Sequence, residues 1–214
     1  MCWLNDLERR IGRHYIPNLM KYLTLAMLGV FILEYLPLPK SAAYLLYFDR
    51  ALILRGEIWR VITFIFLPPT GSLFFILLSL YFYYFLGTSL ESHFGGARFN
   101  IYYGIGILGS IAAGFLTGSA TNSYLNTSLL LAFAVLYPDM EFMLFFFLPV
   151  KVRWIGWAWG LYLIYQLIVA PWQYKVALLL SFLPFILFFG KKAWLQLQMD
   201  GRRLLRWINI NLRK

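Results

Sequence analysis

The chain has 214 residues, of which 61% are hydrophobic, 20% aromatic and only 13% charged, with a formal net charge of +10. A soluble domain of this length carries about 25% charge, so an ordinary soluble fold is excluded and a membrane bundle becomes the default reading. Cys2 is the sole cysteine, which excludes an intrachain disulfide.

In chain order, Trp3, Leu4, Leu7, Ile11 and Tyr15 recur at helical spacing around Glu8, Arg9 and Arg10. This pattern predicts an amphipathic segment over residues 2–15 lying flat at the headgroups. A first span follows at 19–36 and stops at Pro37-Leu38-Pro39; with no small-residue cleavage site behind it, it is read as a retained helix. Residues 44–67 mix apolar side chains with Asp49, Arg50, Arg55, Glu57 and Arg60, and end at Pro68-Pro69. They are expected to form an interfacial loop with short helical pieces. Further spans are predicted at 73–90, 100–116, 124–137, 155–169 and 174–189. The apolar run 142–149 is expected to lie along the surface rather than to extend the fourth span. A second amphipathic segment, 191–212, completes a single membrane domain over 1–214 with its core at 15–190. Several spans are shorter than the roughly 20 residues needed to cross alone, so the bundle is expected to be compact or partly immersed.

With six spans both termini share one side. Fourteen of the nineteen basic residues fall there, including Arg9, Arg10, Arg13 and seven in the tail. The positive-inside rule then places both termini in the cytoplasm. The same bias accounts for most of the net charge without nucleic acid.

Arg60 and Glu91 stand out, because a charge near hydrocarbon must be paired, hydrogen-bonded or snorkelled. Trp59 suits an interface belt, and Arg60 can offer its guanidinium to backbone carbonyls while its stem stays apolar. Gly87 and Glu91 are four apart on one helix face, where a close backbone beside a carboxylate would fasten a neighbouring segment. These four residues are expected to act as structural anchors. In the third span Gly104, Gly106, Gly109 and Gly114 read as helix-packing positions. Asn126, Thr127 and Ser128 lie within one turn of the fourth span. A nucleophilic serine needs a base and oxyanion donors, and the chain has only His14 and His93, both expected at the opposite end. No cofactor motif or metal-ligand cluster is legible, nor an internal repeat of the kind transporters carry.

Three segments in this order resemble the rhomboid and derlin superfamily of six-helix membrane proteins over about residues 15–190. Gly56-Glu57-Ile58-Trp59-Arg60 is similar to the Trp-Arg element of their first loop. Leu86-Gly87-Thr88-Ser89-Leu90-Glu91 is similar to the end of their second helix, and Lys151-Val152-Arg153-Trp154 to the basic lead into their fifth. The resemblance implies an all-α, six-transmembrane-helix bundle. Active rhomboids are intramembrane serine proteases whose nucleophile sits in a Gly-x-Ser-Gly motif on the fourth helix. Here Asn126-Thr127-Ser128-Leu129 takes that place, keeping the serine and losing both glycines. The family's oxyanion positions on the second helix fall on Phe75 and Ser79. The base histidine of the sixth helix has no counterpart in 174–189.

The resemblance therefore implies a catalytically inactive rhomboid-like protein of a bacterial plasma membrane. Its expected partners are membrane lipids and the transmembrane segments of client proteins, in quality control, chaperoning or regulation. The alternative is an intramembrane serine protease using Ser128 with a non-standard base such as Lys175.

Overall fold

The computed structural model describes residues 15–34, 41–69, 72–144 and 148–211. The expected amphipathic segment at 2–15 lies, but for Tyr15, outside the described residues, as does His14. Of the described residues, 79% are helical. Among the described residues, two helices are long and apolar enough to cross a membrane, or three if one bent pair counts as a single span.

Helix α1 (Leu19–Leu33) buries Met20, Leu23, Thr24, Met27, Val30 and Phe31. Their spacing of three and four residues defines one face. The segment that follows is built of short pieces, α2 (Ala42–Leu46), β1 (Phe48–Asp49), α3 (Arg50–Leu54), α4 (Arg60–Thr63) and a 3₁₀ turn at Phe64–Phe66. Asp49 starts α3 by accepting from the Ala51 and Leu52 amides, the usual work of an N-cap aspartate. Helix α5 (Leu73–Phe94) is one of the two long apolar helices. It buries Ile76, Leu80, Leu86, Gly87 and Leu90 and leaves Phe74, Phe75, Leu77 and Tyr81 exposed. A helix apolar on both faces belongs in lipid.

Gly95, at φ 84° and ψ 149°, turns the chain from α5 into α6 (Gly96–Thr117). That backbone region is nearly closed to residues bearing a Cβ. Helix α6 is the most enclosed of the long helices. It presents Phe99, Tyr102, Tyr103, Gly106, Gly109, Ser110 and Ala113 inward. Strand β2 (Ser119–Ala120) pairs antiparallel with β1, fixing the α6 exit to the segment after α1. Helix α7 (Ser123–Leu136) packs on α5 and on the later helices Val152–Val169 and Leu183–Asn211.

Three features depart from the expected architecture. The run at 142–149 does not continue α7. It forms a hairpin of β3 (Glu141–Leu144) and β4 (Leu148–Lys151), so with β1–β2 the chain is mostly rather than purely helical. Phe142 anchors the hairpin by packing its ring against Phe82, Phe85 and Phe133. After α8 (Val152–Val169), the expected sixth span is broken into α9 (Trp172–Ser181) and α10 (Leu183–Asn211), bent by 68°. Pro184 explains the break, since it has no N–H for the Leu180 carbonyl and its ring crowds that carbonyl. Finally, α10 runs on through Gly190 to Asn211. The predicted interfacial segment at 191–212 is therefore continuous with the last core helix.

Phe48, Phe64, Phe99, Tyr102, Leu125, Leu129 and Phe189 form the main core, where the short pieces, α6, α7 and α10 meet.

Candidate functional site

Ser128 sits in the second turn of α7 and is fully buried. Its hydroxyl donates to the Leu125 carbonyl at 2.6 Å and accepts from the Tyr102 hydroxyl at 3.0 Å. Tyr102, on α6, is itself fully buried. Both functions of the serine oxygen are thus engaged inside the bundle. A nucleophile instead needs an adjacent base and an open approach.

The other positions assigned to a catalytic constellation do not gather around it. Phe75 is 59% exposed, its ring against Phe74. Ser79 lies half-buried beside the α5 stripe of Ile76 and Leu80. His93 packs its ring on Tyr137, nine residues and about 13 Å of helix rise beyond Ser128. Lys175 donates to the Ile168 carbonyl at 3.1 Å, bracing the α8–α9 turn. Among the described residues no three His, Cys, Asp or Glu side chains gather as a metal site requires.

A polar cluster does surround this part of α7. Asn126 is buried beside the Tyr83 hydroxyl of α5. Its Oδ1 and the buried Tyr103 hydroxyl have no protein partner. Thr127 back-bonds to the Ser123 carbonyl at 2.8 Å. On the neighbouring contact, Ser110 of α6 and Ser181 of α9 hydrogen-bond at 2.9 Å. The bundle interior therefore holds hydroxyl and amide groups from four helices, which act as interhelical glue where water is scarce.

Arg60 is 1% exposed. Its Nε donates to Glu57 at 2.6 Å, and one terminal nitrogen donates to the Tyr44 and Tyr47 carbonyls at 2.7 and 3.0 Å. The guanidinium also lies 5.0 Å from the Tyr47 ring centre and 5.6 Å from that of Tyr44, a cation–π arrangement. Trp59 Nε1 donates to the Leu45 carbonyl and Thr63 to the Leu46 carbonyl. Four consecutive carbonyls of the segment after α1, from Tyr44 to Tyr47, are thereby held by one short helix and the residue that precedes it. Tyr47 donates to Asp49, and its phenol is raised above its ordinary value by desolvation first and by the Asp49 charge second.

At the far end of α1, Glu91 accepts from the Asn18 amide at 2.7 Å. Asn18 has φ 54°, a left-handed conformation that asparagine tolerates better than most residues. Asn100, one turn into α6, closes a two-way clamp on Ile16, accepting from its amide at 3.1 Å and donating to its carbonyl at 2.9 Å. Asn122 works similarly at the other end, donating to the Ile65 and Leu67 carbonyls, both at 2.9 Å. The sequence reading did not single out Asn100 or Asn122. Their polarity beside apolar runs was the available signal, but it does not name a partner 84 or 57 residues away.

The glycines divide. A Cβ on Gly87 would overlap Met20, on Gly106 Leu125, on Gly109 the Leu180 carbonyl, and on Gly114 Phe48. Gly104 departs from the expected packing role, because a Cβ there would meet nothing within 4 Å. No family model matches the chain, and no curated protein does.

Proposed function

We propose that this chain is a catalytically inactive, rhomboid-like integral membrane protein that binds transmembrane segments of client proteins. The single observation that carries the inactive half of the reading is the sealed Ser128, whose oxygen is spent on Leu125 and Tyr102. Without an activating base, a serine hydroxyl is a weak nucleophile. The binding half rests on the resemblance together with a broad apolar surface. Along α8, Trp154, Leu161, Tyr162, Ile164, Tyr165 and Ile168 are all exposed. In this reading six helices cross a bacterial plasma membrane with both termini in the cytoplasm, and α8 offers a face to a client helix.

The test joins two measurements on the full chain in native membranes. A serine-reactive phosphonate should leave Ser128 unlabelled, and a photo-crosslinker at Tyr165 should capture transmembrane segments of other proteins. Labelling that Ser128→Ala abolishes would restore the protease reading. Capture of lipid alone at Tyr165, under conditions that trap weak helix pairs, would remove client binding.

A further inference from the structure

A cleft of about 210 Å³ opens between α7, α8 and α10. Leu131 and Ala134 line it from α7, Gly160 and Ile164 from α8, and Phe185 from α10, with Arg153 at one end. Its origin is a pair of glycines one turn apart. A Cβ on Gly156 would stand 2.7 Å from the Ala134 Cβ, so there α8 touches α7 closely. On Gly160 a Cβ would meet nothing within 4 Å, and the missing side chain leaves the gap open.

Length and charge define what fits. From Arg153 to Ile164 the cleft follows about 16 Å of helix rise, close to half of a hydrocarbon core about 30 Å thick. It is therefore one leaflet deep. The Arg153 end is basic, with Lys151 just before α8 and Lys191 and Lys192 beside the lining residue Ala193, all three exposed. Against them stand Asp139, which ion-pairs Arg153, and Glu141, which faces Lys151 across the hairpin. The balance remains positive, and the first turn of α8 holds no acidic residue.

We infer that this cleft holds one acyl chain of an anionic phospholipid, with its phosphate at Arg153 and the flanking lysines. A helix, about 10–12 Å across with its side chains, is too wide for the space. The inference is independent of whether the protein binds clients.

Native mass spectrometry of the full chain tests it, after equilibration with equal amounts of phosphatidylglycerol and phosphatidylcholine bearing the same chains. The expected result is a preference for phosphatidylglycerol of about fivefold, the contribution of one basic residue facing an anionic lipid. Gly160→Leu, which fills the gap without meeting a neighbour at Cβ, should remove both adducts. Arg153→Gln should keep chain binding but lose the preference, and Arg153→Lys should retain it. Equal adducts of the two lipids on the unaltered protein would overturn the inference, as would adducts that Gly160→Leu leaves intact.

Discussion

Arg60 shows how a charge is accommodated in an apolar chain. Its partners are one carboxylate, two carbonyls and two aromatic faces. Removing the guanidinium would orphan all of them at once. Arg60→Leu should therefore cost about 3 kcal/mol or more, the range for breaking a buried ion pair from one side. It should also expose residues 41–67 to protease, whereas Arg60→Lys should lose less. Limited proteolysis in detergent, alongside a denaturant titration, reads both effects; an unchanged digestion pattern would contradict the role. The glycines make a second, paired prediction. Gly87→Leu should destabilise by about 1–3 kcal/mol through overpacking, because its side chain must enter the space of Met20. Met20→Ala should relieve part of that cost. Gly104→Ala should instead be neutral or stabilising by up to about 1 kcal/mol, since it replaces a helical glycine without a clash. A thermal-unfolding series of Gly87→Leu, Gly87→Leu combined with Met20→Ala, and Gly104→Ala separates these outcomes.

At the level of elements, the bend at Phe182 is the clearest departure from a simple bundle. The freed Leu180 carbonyl faces Gly109 of α6, and Ser181 bonds Ser110 beside it. The bend and the α6 glycine are thus two parts of one contact. Pro184→Ala should restore the missing backbone bond and let α9 and α10 straighten. Spin labels at residues 174 and 195 should then move apart by about 5 Å, as a 1.5 Å rise per residue requires; an unchanged distance would assign the bend to packing alone. This feature was partly legible, since Pro184 stands in the sequence, but a proline inside an apolar run does not state how sharply the helix turns. The positions of the helices were readable from apolar runs ending at Pro37, Gly95, Pro138 and Pro171. The hairpin was not. Residues 142–149 are apolar and aromatic without alternation, and their strand pairing is set by the Phe142 contact with α5 and α7. The serine of the fourth helix was legible as a residue, but its partner was not. Nothing in Tyr102 by itself announces a bond to Ser128 across 26 residues.

For the molecule as a whole, helix length is the unusual quantity. Helices α1 and α7 have 15 and 14 residues. At 1.5 Å per residue they rise only about 21–22 Å, short of a hydrocarbon core about 30 Å thick. In the proposed six-span arrangement, a bilayer matched to them must thin or let their ends reach the interface. The unfolding temperature should accordingly be higher in vesicles of fourteen-carbon than of twenty-two-carbon chains. A flat or inverted dependence would show that the longer α5 and α6 set the match instead.

The clamps on Ile16 and Asn18 carry a consequence in time. Their partners, Asn100 and Glu91, lie 84 and 73 residues further along the chain. During synthesis the start of α1 must therefore wait, without these bonds, until α5 and the first turn of α6 have been made. Helix α1 is thus secured only after the α5–α6 turn exists, and the order of assembly runs against the order of translation.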